Sequence, residues 1–407
     1  MISYKIDKML KMVAVLAVIY SSSLPESLVA DEPDLCLTAQ RAFEAAIDIR
    51  GLNKKKAVPC LVKNRPNIKK YILETVERDI PSEKFRLEGV TYKALGLVLP
   101  EFSYVDGIID LYVQQIGGYY DPIKDHFVMA TWIPATFQFS VAVHELTHAL
   151  QDQHFNLSEF VDSKNMTSDQ AMARSALVEG DATAVMIDYS LRQTGAGHLR
   201  DHENTNMFMA QNVMGARLMA SSDNAPQAIL NLMIFPYTSG LRFAHTLIKK
   251  GDYKQIDSSF KNPPNTTEEI LHPDKYLLGK IDFKDLQIEA DQSYGELKQT
   301  DRLGEFFLSV WLNTIGAQGY EAAKAAAGWG GDQLGVFKKG ENYTVVWEIA
   351  WDSDKDRDEF ISLLSKIWRK NFDQLGGCFT SMPQCRAKMV NTDKNSKIII
   401  NLALPEQ

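Results

Sequence analysis

Five consecutive residues, His144-Glu145-Leu146-Thr147-His148, set two imidazoles and a carboxylate at a spacing suited to one task. On a helix, residues four apart lie about 40° apart around the axis, so both rings reach the same metal ion. Glu145 follows the first ring, where its carboxylate can take a proton from water held on that ion. Zinc suits a pair of imidazoles and lowers the pKa of such a water towards ~7, making hydroxide available at neutral pH. The acid beside the first ligand argues against a purely structural metal site, which has no use for it.

A site of this kind needs a third protein ligand, and two residues offer themselves. His154 stands six residues after His148, a spacing that brings a third imidazole round only where the chain turns sharply midway. The middle position here is Gln151, and if the helix simply continues, His154 points about 100° away from the other two rings. Glu179 lies 31 residues after His148, in Ala176-Leu177-Val178-Glu179-Gly180-Asp181-Ala182. A lone carboxylate among apolar residues is costly unless it meets a cation or a hydrogen-bond donor. A salt bridge to Arg174 is the plain alternative for it. Glu179 is the preferred third ligand, with His154 as its rival.

His144-Glu145-x-x-His148 with a distant Glu179 resembles the gluzincins, the thermolysin-like class of zinc metallopeptidases. More narrowly, the chain is similar to a family of exported bacterial proteins of unassigned activity that carry this motif. The matching stretches are Gly118-Tyr119-Tyr120-Asp121-Pro122, His144 to Gln153, Val178 to Ala182, Phe235-Pro236-Tyr237, Pro263-Pro264 to Tyr276 and Gly328 to Asp332. The resemblance implies a zincin-like catalytic domain and hydrolysis of a peptide or protein substrate. Zinc is then held by His144, His148 and Glu179, with Glu145 as general base. It also implies an edge strand upstream of the zinc helix that pairs with the substrate backbone, a place taken by residues 125–131. One departure stands out: thermolysin supports its first His with an Asp four residues beyond its Glu ligand, whereas this chain has Thr183 there, leaving Asp152 or Asp181 as substitutes. An oxyanion donor is needed as well. His272 and Tyr237, each beside a Pro and read as loop residues, are the leading candidates, with His245 and Tyr276 behind them.

Two rivals come from other classes. Glu145-x-x-His148 and Glu269-x-x-His272 together form the signature of a di-iron carboxylate bundle, but Pro264 and Pro273 leave the second motif little helix. A zincin-like scaffold without activity, acting as a binding protein, is the other. The intact Glu145 argues against it.

These side chains need rigid elements. Phe137 to Gln153 lacks Gly and Pro and reads as a buried helix, and a second long helix runs from a Ser168 cap towards Arg192. Gly180 and Ala182 would let the second helix approach the first closely. A turn at residues 117–122 precedes a short strand at 126–130. Further helices are expected at Met207–Ala220 and Ala225–Ile234, and residues 260–275 form a connection with at most one helical turn. The fold class is α+β, predominantly helical, with the metal site on two helices. Its expected parts are an N-terminal helical segment (31–95), the zincin-like domain (96–294) and a C-terminal α+β unit (295–407). In that last unit, helices are expected near 301–315, 319–327 and 355–370, and strands near 332–338 and 343–351.

The 407 residues, 45% apolar and 24% charged, describe a globular protein. A net charge of −8 offers no basic face for nucleic acid. Lys5, Lys8 and Lys11, then Met12 to Tyr20 and a small-residue stretch ending at Ala30, describe a signal peptide over 1–30. The apolar run falls short of the roughly 20 residues of a spanning helix, so no membrane span is expected in the mature chain. A secreted or periplasmic location follows. Four cysteines agree with export, and the pairings that close the shortest loops are Cys36–Cys60 and Cys378–Cys385.

Overall fold

Unbroken apolar periodicity builds the longest helices, and in the computed structural model they pack around the His-Glu motif. The structure describes residues 35–79, 82–161, 166–210, 225–279, 283–289, 291–371, 386–391 and 395–403. In chain order the first part holds α1 (Leu35–Arg50), β1 (Cys60–Lys63), α2 (Arg65–Asp79), α3 (Ser82–Ala94), α4 (Tyr104–Gln115), β2 (Gly118–Asp121), β3 (His126–Ala130), α5 (Ala135–Phe155), α6 (Ser168–Gln193), α7 (Gln227–Gly251) and α8 (Tyr253–Lys261). Then come β4 (Glu296–Asp301), α9 (Gly304–Thr314), α10 (Gly319–Ala326), β5 (Trp329–Lys339), β6 (Asn342–Trp351), α11 (Asp354–Asn371), β7 (Arg386–Asn391) and β8 (Asn395–Ala403). The protein is α+β and mostly helical. The expected signal peptide (1–30), the expected Cys378–Cys385 pair and most of the expected helix 207–220 lie outside the described residues.

Helix α5 is buried on every side from Val141 to Gln151, as a helix at the centre of a core must be. It ends where Asn156 takes a left-handed conformation (φ 49°), one that Asn tolerates better than most residues. Helix α6 starts one residue after its cap: the Thr167 side chain, not that of Ser168, accepts the Gln170 N–H. Its closest approach is to α7 and not to α5. A Cβ on Gly180 would stand 2.2 Å from the Gly240 carbonyl oxygen, and one on Gly240 would stand 2.2 Å from that of Ala176. Gly180 follows Glu179 by about 100° around the helix, so when Glu179 faces α5, Gly180 faces another neighbour.

The first sheet has the order β1-β3-β2, with β1 parallel and β2 antiparallel to β3. Strand β3 is therefore the middle strand, and the expectation that residues 125–131 offer a free edge is corrected: neighbours occupy both sides. Strand β2 lies against α5. The Cys36–Cys60 disulfide ties α1 to β1, closing a separation of 24 residues.

The second sheet runs β4-β5-β6-β8-β7, antiparallel throughout. Its core gathers Trp311, Trp329, Trp347, Trp351 and Phe360 with Leu87 and Val90 of α3, so that helix packs with the later part of the chain. Asp332 on β5 accepts four N–H groups: Leu303 (2.8 Å), Gly304 (2.7 Å), Trp329 Nε1 (2.8 Å) and Trp347 Nε1 (3.1 Å). It thereby satisfies orphan donors at the start of α9 and joins that helix to the sheet. Among the described residues, no helix is long and apolar enough to cross a membrane.

Candidate metal centre

Because α5 continues unbroken past His148, the two ring nitrogens of the motif end on one face. His144 Nε2 and His148 Nε2 lie 3.1 Å apart, and Glu179 Oε2 from α6 lies 3.1 Å from the first and 3.3 Å from the second. Ligands held ~2.0–2.1 Å from a tetrahedral zinc ion are separated by about 3.3 Å, so this triangle has the edges such an ion requires. All three side chains are at most 1% exposed. Glu179 Oε1 and His144 Nδ1 are buried without a hydrogen-bond partner. Two imidazole nitrogens and a carboxylate, converging with acceptor capacity to spare, fit a zinc ion.

The electrostatics agree. Burial disfavours protonation of His148, but Glu179 beside it outweighs burial and lifts its pKa to about 9. Burial would raise Glu179, but His148 and His144 hold it below the usual carboxylate range. A buried positive charge is what this carboxylate is built to meet. The alternative partner, Arg174, is turned away and donates to the Phe160 carbonyl at 2.9 Å.

Glu145 is fully buried, and its Oε2 accepts the Tyr120 N–H of β2 at 3.1 Å. That amide points away from β3, so the outer edge of β2 faces the motif. Tyr237 stacks beside His144, with ring centroids 6.1 Å apart. Burial, with Glu179 and Glu145 close by, pushes its phenol well above the ordinary tyrosine value, and the hydroxyl reaches Glu179. The loop reading of Tyr237 is corrected: it lies inside α7, where Pro236 occupies the helix interior. Packing on both sides keeps the helix going through a residue that usually ends one.

The other sequence candidates lie elsewhere. His272 Nε2 is 3.0 Å from both oxygens of Glu305, between two short helices, Thr267–Leu271 and Pro273–Leu277. Glu269 closes a capping box with Thr266 and so caps the first of these helices. The second Glu-x-x-His pair thus serves caps and an ion pair and does not join the first in a four-helix site. His154 Nε2 meets the Asn53 carbonyl at 2.8 Å, His245 Nε2 meets that of His202 at 3.1 Å, and Tyr276 donates to that of Asn262 at 2.6 Å.

Support for the ligands comes from Asp181, one of the two substitutes read from the sequence, and from Gln151 and Arg50, for which the sequence carries no such reading. His148 Nδ1 lies 2.8 Å from Gln151 Oε1. Gln151 Nε2 donates to Asp181 Oδ2 (2.8 Å) and to the Val178 carbonyl (3.0 Å). Arg50 Nε sits 2.9 Å from the Asp181 carboxylate, and its NH2 is 2.6 Å from Asp257. Asp181 therefore reaches the second His through Gln151. Thr183, where thermolysin's Asp would stand, is buried with its hydroxyl oxygen unpartnered, and Asp152 instead accepts from Tyr120 OH and the Leu157 N–H. An amide carries no charge to flag it in a sequence. The signal for Gln151 was its helical offset of three from His148.

Residues 292–383 match a sequence family described as a domain of unknown function (DUF8575). Within the described residues, 292–371, that stretch contributes to the second core and leaves the triad outside it. No curated protein and no solved structure matches the chain.

Proposed function

We propose that the protein is an exported zinc metallopeptidase of gluzincin type, with His144, His148 and Glu179 as the metal ligands and Glu145 as the general base. The observation that carries this reading is the triangle of donor atoms, 3.1 to 3.3 Å on a side, with a second carboxylate on the adjoining residue. Zinc, when bound, supplies Lewis acidity and lowers the pKa of water near neutrality. Glu145 takes the proton of the attacking water on a carboxylate oxygen and returns it to the leaving amine. Tyr237 offers its hydroxyl to the oxyanion that develops on the substrate carbonyl. The outer edge of β2, where the Tyr120 N–H is aimed at Glu145, takes over from residues 125–131 as the strand that pairs with an extended peptide. The Cys36–Cys60 bridge agrees with an oxidising compartment.

The second reading, an inactive zincin-like scaffold, draws on two observations. The ligands are buried, and Glu145 already accepts a backbone N–H. Elemental analysis of the purified protein, followed by turnover of a mixed-peptide library, separates the two. One zinc per chain, lost in His148→Ala and Glu179→Ala, is expected. Glu145→Gln should keep the zinc and lose about 10³-fold or more in turnover. Zinc with no peptide hydrolysis would favour the scaffold. Two irons per chain, or no metal after zinc is supplied, would sink the proposal.

A further inference from the structure

We propose that Gln151, pinned by Asp181 and Arg50, is a positioning residue that holds His148 with a proton on Nδ1 and its Nε2 lone pair turned to the ligand triangle. The inference rests on the zinc reading above and extends it to helix α1. Hydrogen-bond accounting carries it. A glutamine amide has two donors on its nitrogen and an oxygen that only accepts. Gln151 Nε2 has Asp181 Oδ2 at 2.8 Å and the Val178 carbonyl at 3.0 Å, both acceptors. Swapping the amide ends would set oxygen against oxygen twice, so the orientation is fixed by chemistry. Oε1 then faces His148 Nδ1 at 2.8 Å and can only accept, so that ring nitrogen carries hydrogen. When a metal takes the place of the proton that Glu179 favours on this ring, the imidazole is neutral, with its one N–H on Nδ1 and Nε2 left for the metal.

What fixes Gln151 lies further out. Asp181 is fully buried, and Arg50, 1% exposed and 2.9 Å away, faces its carboxylate and holds it against Gln151. Asp257 holds the other arm of the guanidinium at 2.6 Å. Arg50 is the last residue of α1, which the Cys36–Cys60 bridge ties to β1. The orientation of a metal ligand on α5 thus depends on a residue of the N-terminal helix. Removing α1 would take away the guanidinium that faces the buried Asp181, so α1 is a working part of the site.

The test uses the full chain and zinc alone. Gln151→Met keeps the side-chain volume but cannot accept from the ring. Asp181→Asn lets position 181 donate as well as accept, which leaves the Val178 carbonyl as the one acceptor that fixes the Gln151 amide. Zinc affinity is measured by competition with a chromophoric chelator, and the ring N–H of His148 is followed by imidazole nitrogen–proton spectra of the zinc-loaded protein. The wild type should show a slowly exchanging His148 Nδ1–H. Both variants should bind zinc more weakly and exchange that ring proton faster, with Gln151→Met losing about 10- to 100-fold in affinity. A merely structural role would not speed exchange of the ring proton in a folded variant. Unchanged affinity with equally slow exchange of the ring proton in Gln151→Met, while His148→Ala loses zinc, overturns the positioning role and leaves the zinc reading standing. Wild-type protein that takes up no zinc overturns the zinc reading, and this inference with it.

Discussion

Tyr237 is the residue whose substitution separates binding from chemistry. Its hydroxyl reaches Glu179, its ring lies 6.1 Å from that of His144, and it is not one of the three ligands. Replacing it with Phe keeps the ring and the packing but removes one donor. If that donor serves a developing oxyanion, Tyr237→Phe should lower kcat by about 10²- to 10³-fold, with zinc content unchanged and KM little altered. Steady-state kinetics on a cleaved peptide, beside metal analysis, checks this. His272 is the matched control. Its imidazole is committed to Glu305, so His272→Ala should leave turnover within about threefold of wild type while costing about 1–3 kcal/mol of stability, because it leaves the buried Glu305 without that partner. A large loss of kcat at His272 with none at Tyr237 would exchange their roles.

At the scale of elements, the site depends on how closely α6 and α7 cross. Glu179 precedes Gly180, and Tyr237 stands three residues before Gly240, so the crossing sets the distance between a ligand and its neighbouring phenol. A methyl group 2.2 Å from a backbone carbonyl oxygen forces the helices apart. Gly180→Ala or Gly240→Ala should therefore destabilise the fold by about 3 kcal/mol or more and weaken zinc binding. Gly195 gives the contrast: its φ is +72° but a Cβ there meets nothing within 4 Å, so Gly195→Ala should cost only about 1 kcal/mol, with zinc affinity intact. Denaturant titrations with and without zinc test both. This crossing also shows where the sequence stops being legible. Helix α5 could be read because its evidence is local: two imidazoles four apart in a breaker-free apolar run. Glu179 could be read because a charge among apolar residues demands a partner. Gly180 points to a close approach, but the sequence reading assigns it to α5 and the structure gives it to α7, since helix pairing is settled by long-range packing. Tyr237 was taken for a loop residue because Pro236 is locally a breaker, and tertiary contacts overrode it. Strand β1 is four residues, Cys60–Lys63, with its two central side chains exposed, so it carries no alternation to detect. Gln151 and Arg50 were passed over because their roles exist only once α1, α5 and α6 have met.

Across the whole molecule, the question is whether the metal centre and the second core act as one unit. Helix α6 runs between them. Glu179 lies in its middle, and Asp169 at its start accepts from the Thr267 N–H (2.7 Å) and Oγ1 (2.6 Å) and from Arg302 Nε (3.1 Å), the residue that leads into α9. Gly304, with φ +84°, is packed so tightly there that a Cβ would fall 1.9 Å from Asp169 Oδ1. Asp169 is fully buried, so removing it strands Arg302, itself 8% exposed, with much of its charge unanswered. Zinc at 100 times its Kd should stabilise the protein by about 2.7 kcal/mol, because only the folded triad binds it. Four of the six tryptophans, Trp311, Trp329, Trp347 and Trp351, belong to the second core, and with Trp132, which packs against the first core, replaced by Phe they report on a region remote from the triad. If α6 couples the two cores, chelating the zinc should lower the thermal midpoint seen by tryptophan fluorescence as much as the midpoint seen by far-ultraviolet circular dichroism. In Asp169→Ala the two midpoints should part, the fluorescence transition coming earlier and no longer responding to zinc. Coincident, zinc-sensitive transitions in that variant would place the coupling elsewhere, at the face where α3 and α7 lend Leu87, Val90 and Leu232 to the second core.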